Sequence, residues 1–403
     1  MATTHPLPEG FAAAATICSV KKSNTTKPDL GLLVAATACP ARAIYTQSQL
    51  VGAHVHLCRE HLARSGGLVK AIFVNSGNAN CATGEQGVAD ARTLAEAVGK
   101  LVACPPEQVL VLSTGVIGAR LPMDRILPAL PVLAGKLAKG KFQDFTRAIM
   151  TTDTFPKLAS QEGKADDGST FHVAGTAKGA GMIHPDMATM LGFLVTDART
   201  PKDLHYLLRD VAEQTFHRVT IDGDTSPNDT LVLWSSERHW VRPSQTAAGA
   251  EADPLRAALV ATGRELARMI ARDGEGATRR VTVIVRGAPS EKAASTVGRT
   301  IATSPLVKTA IHGRDPNWGR ILAAAGRSGI VFDANAARVW IGPATLYADG
   351  APRPENEAAA HAHMKEHEDV EIGIDLACGP FAAECWTCDY SAEYVSINAD
   401  YRS

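Results

Sequence analysis

Apolar residues recur along most of this chain in two alternating rhythms. Val88, Ala91, Leu94, Ala95, Val98 and Leu101 fall three or four residues apart, which places them on one face of a helix. Leu204, Leu207, Leu208 and Val211 repeat that spacing behind Pro201 and Asp203, two residues suited to a helix start. Leu255, Leu259, Leu266 and Ile270 predict a further helix. Between them lie apolar, β-branched runs at Leu68–Val74, Val109–Leu112, Val281–Val285 and Glu371–Leu376, which read as strands. Helices and strands interleaved in this way predict an α/β or α+β fold with long sheets covered by helices. Residues 237–254 are polar and rich in Ala and Ser, and read as a surface connection. Residues 348–367 begin similarly and turn Ala-rich and helical. Neither stretch marks a domain linker, and no repeat or low-complexity tract interrupts the pattern.

Composition narrows the class. With 403 residues the chain can bury a large core. Lys and Arg total 41 against 42 Asp and Glu, a net charge of -1, which argues against nucleic acid or an anionic membrane surface as the main partner. Eight cysteines are scattered rather than clustered, so reduced thiols in a cytoplasmic protein are expected instead of a disulfide framework. The first residues have no basic segment ahead of an apolar run, and no apolar stretch approaches a membrane span.

The stretch most unlike ordinary core sequence is Lys178-Gly-Ala-Gly-Met-Ile-His-Pro-Asp-Met-Ala-Thr-Met-Leu191. It opens on a flexible Gly-rich turn and leads into the apolar run Met190–Val195, with Thr189 at the junction. Read alone, Thr189 is an ordinary β-branched strand residue. Ser113-Thr-Gly-Val-Ile-Gly118 follows a predicted strand, and such a turn can aim dipoles at a developing oxyanion, although turns of this kind are common. Lys178 alone would be a solvated surface lysine, and Asp273-Gly-Glu-Gly276 alone a simple turn.

Taken together, these segments resemble the ornithine acetyltransferase family, the glutamate N-acetyltransferases of arginine biosynthesis. The likeness runs from the Asn-rich loop Asn75–Asn80 to the last residue. It implies an αββα sandwich of the DmpA/ornithine acetyltransferase kind, layered like N-terminal-nucleophile hydrolases but differently connected. It also implies self-cleavage between Ala188 and Thr189, giving fragments 1–188 and 189–403 that form one intertwined catalytic unit and assemble as α2β2. Thr189 becomes the nucleophile, with Thr114 and Gly115 stabilising the oxyanion. Met150-Thr-Thr-Asp153 points to Thr152 as a substrate contact, Lys178 to a cation for the substrate carboxylate, and Glu275 to a partner for the substrate ammonium. Asn398 and Ser403, in the C-terminal Ser396–Ser403, are expected to reach back into the site, although chain ends ordinarily fray. Asp186, Ala180, Pro227 and Cys81 depart from the family pattern, and none of them is the nucleophile.

The implied activity moves an acetyl group from N2-acetylornithine to glutamate through an acetyl-Thr189 ester, with no metal or cofactor. Some members also take acetyl-CoA as donor, which makes them bifunctional. Scission has a physical purpose. A Thr hydroxyl needs a base, and a new α-amine, with a pKa of about 7.7–8.0, supplies one beside it. A self-cleaving N-terminal-nucleophile aminopeptidase or amidase is the alternative within this chemistry, and an uncleaved binding protein the alternative outside it.

Other constellations carry less. His363-Met-Lys-Glu-His367 fits a zinc-binding spacing but falls on a short Ala-rich helix. His54, His56 and Cys58 alternate, as ligands on one strand face would. Asp222, Asp224 and Asp229 miss the EF-hand spacing. Cys385-Trp-Thr-Cys388 lies in a strand-like run and reads as core or surface thiols. No Walker loop, nucleophile elbow or dinucleotide fingerprint is present.

Overall fold

A computed structural model describes residues 5–184, 190–200, 203–242 and 253–400. Its first half is built from β1 (Phe11–Thr16), β2 (Leu30–Tyr45), β3 (Leu68–Asn78) and β4 (Val109–Val116), with α1 (Ala53–Arg64), α2 (Gly84–Leu101), α3 (Met123–Gly135) and α4 (Phe142–Ile149) between and after them. There follow β5 (Lys157–Lys164), β6 (Thr170–Lys178), β7 (Leu191–Arg199), α5 (Leu204–Gln214), β8 (Thr230–Trp240) and α6 (Pro254–Arg272). The strands run in the order β4-β3-β2-β8-β7-β6-β5, with β1 also on β2. The long strand β2 joins the two halves: residues 30–40 pair with β3, and Ala41–Tyr45 pair with β8.

Alternation along the strands turns this path into layers. Leu33, Ile72, Val74, Leu110 and Leu112 of one half share a core with Phe193, Val195, Val232 and Trp234 of the other, with α4 contributing Phe142 and Phe145. Ring contacts cross that interior, Phe11 on Trp234 at 4.9 Å and Phe145 on Phe193 at 5.4 Å. The neighbouring positions point outward. Leu32, Phe73, Val109 and Val111 pack against α2 and α3, and Leu194, Leu231 and Leu233 pack against α5 and α6. Period-two strands buried on both faces therefore give helix, sheet, sheet, helix, the αββα order expected.

A second sheet was not legible as a separate body in the sequence. It comprises β9 (Arg280–Ala288), β10 (Arg338–Ile341), β11 (Ala344–Ala348), β12 (Ala351–Pro352), β13 (Asp369–Asp375) and β14 (Phe381–Cys388), in the order β12-β11-β10-β13-β9-β14. Helices α7 (Glu291–Ala302), α8 (Pro305–His312), α9 (Trp318–Gly326) and α10 (Glu357–Glu366) share its core. Trp386 and Cys388 of β14 join the core beneath α6, which ties the two bodies together. Helix α11 (Ala392–Asp400) closes the described chain. No helix among the described residues is long and apolar enough to cross a membrane.

One expectation needs correcting. His54, His56 and Cys58 lie on helix α1, not on a strand, so His54 and Cys58, four residues apart, share a face from which His56 points away. His54, Val55, Leu57, Cys58 and His61 are the buried positions, a 3.6-residue pattern that a three-position alternation concealed. His56 is exposed. Cys385 and Cys388 both lie in β14, three residues apart and in different cores. Residues 243–252, most of the predicted surface connection, lie outside the described residues, whereas Glu237–Trp240 still belong to β8.

Candidate active site

Strands β3 and β4 run parallel, and their C-terminal ends lie side by side with Gly77 opposite Gly115. Gly115 has φ +133°, and a Cβ there would stand 2.4 Å from the Gly77 carbonyl carbon. Two backbones approach closely at this point, so no side chain fits. Thr114, one residue earlier, is buried, and its Oγ1 accepts a hydrogen bond from Lys178 Nζ at 3.2 Å. Lys178 ends β6 and is 5% exposed, so the solvated-lysine reading is excluded. Burial pushes its pKa down, opposed by Asp153, Asp229 and Glu275 and assisted by Lys157.

A buried ion network holds the next wall. Lys157 Nζ lies 2.6 Å from Asp153 and 2.5 Å from Asp273, with all three side chains at most 1% exposed. The other Asp153 contacts are backbone N–H groups, Gly179 at 2.7 Å and Thr151 at 2.9 Å. Burial alone would disfavour its charge, but Lys157, Lys178 and the Gly179 N–H outweigh burial and hold the carboxyl below the usual carboxylate range. Asp273 accepts from the Thr154 N–H and hydroxyl. One lysine thus fixes the Thr151–Thr152 turn against the turn that begins at Asp273 and carries Glu275.

Glu275 is held from both sides. Its N–H donates to the Ala180 carbonyl at 2.8 Å. A Cβ on Gly181 would collide with its carboxylate at 2.4 Å, so the Gly-rich segment leaves room for this acid. Asn398 Nδ2, from α11, donates to Glu275 Oε2 at 2.9 Å. The following backbone is also anchored: Met182, at φ +56°, and Ile183 donate their N–H groups to Asp222 at 2.5 and 2.9 Å.

Thr114, Gly115, Thr152, Lys178, Glu275 and Asn398 line one cavity of about 90 Å3, joined by Gly181, Met182 and Asn228. Six of the nine predicted site residues therefore converge. Ala188, Thr189 and Ser403 lie outside the described residues. Sequence reasoning gave no role to Asn228, whose Nδ2 donates to the Ala79 carbonyl at 2.7 Å and the Ser113 carbonyl at 2.9 Å. It also gave none to the Asn loop. There, Asn75 accepts from Ser113 Oγ and donates to the Asn78 carbonyl, while Asn78 donates to the Ala119 and Arg120 carbonyls. Side-chain amides spaced through a loop after a strand were the available signal: such groups satisfy backbone that no sheet partner serves. Asp315–Arg320 instead opens α9, where Asn317 caps the helix, far from this role. Among the described residues no group of three or more His, Cys, Asp or Glu side chains could hold a metal ion.

The cavity can bind both ends of a small zwitterion, with Lys178 and Glu275 as opposite charges, and Thr114 keeps a hydroxyl proton free to donate. A family model described as the ArgJ family matches residues 12–403. The chain belongs to the ArgJ family. Among the relatives of this ArgJ-family chain, the arginine biosynthesis bifunctional protein ArgJ of Dehalococcoides mccartyi is 43% identical over 98% of this chain and 96% of its own length. The mitochondrial ArgJ protein of Chaetomium globosum is 42% identical over 99% and 89%. A crystal structure of argJ from Bacillus halodurans is 39% identical with a TM-score of 0.49, covering 53% of this chain and 100% of that one. The ornithine acetyltransferase of Mycobacterium tuberculosis, solved with ornithine, is 33% identical with a TM-score of 0.41, covering 45% and 96%.

Proposed function

We propose that this ArgJ-family chain cuts itself before Thr189 and then carries acetyl groups from N2-acetylornithine to glutamate, as a glutamate N-acetyltransferase of arginine biosynthesis. The observation behind this reading is the convergence of Thr114, Gly115, Thr152, Lys178, Glu275 and Asn398 on one cavity, from both sides of the 188/189 junction. Strands β6 and β7 flank that junction as antiparallel neighbours, with Lys178 opposite Leu191. Strand β2 of the first fragment pairs with β8 of the second. Separating the fragments would tear a sheet apart, which favours a cut chain that stays one folded unit.

In scission, Thr189 Oγ attacks the Ala188 carbonyl carbon, the Ala188–Thr189 C–N bond breaks, and water opens the resulting ester. The products are an Ala188 carboxylate and a free α-amine on Thr189. In transfer, that amine takes the hydroxyl proton as Oγ bonds the acetyl carbon. Thr114 Oγ–H and the Gly115 N–H face the negative oxygen. Because Thr114 Oγ1 already accepts from Lys178, its own proton is left for that task. The proton then moves to the ornithine nitrogen as the C–N bond breaks. Glutamate's amine attacks the acetyl-Thr189 ester and restores the hydroxyl. Lys178 meets the substrate carboxylate, and Glu275, fixed by Asn398, meets the side-chain ammonium. Acetyl-CoA as an alternative donor, α2β2 assembly and a cytoplasmic site of action complete the reading.

Incubation with acetylornithine, with and without glutamate, tests it. Ornithine release that requires glutamate and yields N-acetylglutamate is the expected result. Release indifferent to glutamate would assign the site to a hydrolase.

A further inference from the structure

Helix α6 carries Arg264, Arg268 and Arg272 at i, i+4 and i+8, so the three line up on one face. Like charges at that spacing repel. The attraction of a helix C-terminus for cations accounts for Arg272, which lies in the last turn, and not for Arg264 and Arg268 farther back. The row is a standing cost to the helix unless an anion answers it.

The row lines a groove of about 1600 Å3 that follows α6 from Arg256 to Arg272, a length of about 24 Å. Arg280, the first residue of β9, adds a further guanidinium. Burial pushes its pKa down, opposed by Asp369 and assisted by Arg268 and Arg272. Local acids answer only part of this charge. Asp210 meets Arg256 at 2.5 Å, Glu368 meets Arg272 at 3.3 Å and Asp369 meets Arg280 at 2.8 Å. Among the described residues no carboxylate pairs with Arg264 or Arg268. The Nε atoms of Arg264 and Arg280 are buried without a hydrogen-bond partner. Glu265 is the one acid among the described lining residues.

The rest of the groove is largely apolar. Phe155 and Leu158 come from the start of β5, and Val260 and Met269 from α6 itself. Its volume exceeds the roughly 300–1,000 Å3 of ordinary small-molecule sites. It shares no lining residue with the cavity around Thr114 and Lys178. Planar guanidinium forks match phosphate oxygens two at a time, and the apolar walls suit a flat or greasy body beside them.

We propose that this groove is a second ligand site, for a phosphorylated small molecule of the nucleotide class, whose phosphates meet Arg264, Arg268 and Arg280 and whose body lies against Phe155 and Met269. The site stands apart from the acetyl-transfer cavity and holds whether or not the chain is cut.

Isothermal titration of the purified chain with ATP, adenosine and inorganic phosphate, at about 0.15 M salt so that loose surface attraction is screened, tests it. One ATP per chain should bind with a Kd of about 10–100 μM, inorganic phosphate about tenfold or more weaker, and adenosine weaker still. Arg268→Glu should weaken ATP about tenfold or more, while Arg327→Glu, outside the groove, should bind as wild type does. No heat with ATP, or an Arg268→Glu variant that binds like wild type, would overturn the proposal. Inorganic phosphate binding as tightly as ATP would overturn the nucleotide class. A fall in the solution mass of Arg268→Glu by light scattering would make the groove an interface between copies of the chain, which also contradicts it. If Arg268→Glu does not fold, Arg268→Ala and Arg272→Ala decide: weakened ATP binding supports the site, and wild-type affinity in both refutes it.

Discussion

Lys178 reaches across from the end of β6 to donate a hydrogen bond to Thr114 at the end of β4, joining the outermost strand of one sheet half to the interior of the other. The bond decides which way the threonine hydroxyl acts. Its oxygen is occupied as an acceptor, so its hydrogen is available to a developing oxyanion. Thr114→Val keeps the shape and removes the donor. We expect kcat to fall by about a hundredfold or more with KM little changed, read from steady-state kinetics of the cut enzyme. An unchanged kcat would remove Thr114 from the oxyanion site.

Gly115 tolerates nothing larger. Gly115→Ala would place a Cβ 2.4 Å from the Gly77 carbonyl at a backbone angle side chains avoid. Relative to wild type, denaturant unfolding should reveal a loss of about 2 kcal/mol or more.

Much of this was legible in the sequence, for identifiable reasons. The alternation of β3, β4, β7 and β8 is clean because both faces of each sheet half are covered, so neighbouring residues divide between two cores. Thr114, Thr152, Lys178, Glu275 and Asn398 were named through the family likeness, and they do converge. What the sequence did not disclose is long-range pairing. Lys157 reads as one more strand residue until Asp273, 116 positions away, is found against it. Asn228 reads as a turn residue until its amide is seen joining the Ala79 and Ser113 carbonyls. Helix α1 was misread because His54, His56 and Cys58 satisfy alternation over too short a window to separate it from a helical period.

The Asp153–Lys157–Asp273 network should be visible in acid. Asp153 is held below its unfolded pKa, so its contribution is present above about pH 4 and is lost as pH falls from there through the folded value. Asp153→Asn should lose about 3–5 kcal/mol at pH 7. It should also show a flatter decline in stability below pH 4 than wild type, measured by urea unfolding across that range. Parallel curves would mean that Asp153 carries no such linkage.

Asn398 links the last helix to Glu275, the acid that the proposed function assigns to the substrate ammonium. Asn398→Ala removes one charge-assisted bond at an exposed position, so we expect KM for acetylornithine to rise about three- to tenfold with an unchanged unfolding midpoint. A fall in kcat without a change in KM would place Asn398 in the chemistry instead.

The central claim is that Thr189 becomes an N-terminus, and the intact mass of the purified protein, with the N-terminal residue of its smaller pieces, tests it most directly. Wild type should give two fragments, 1–188 and 189–403, the second beginning with Thr, while Thr189→Ala should give one full-length chain. A single uncut wild-type chain that still transfers acetyl groups, or a Thr189→Ala chain cut at the same bond, would contradict the account.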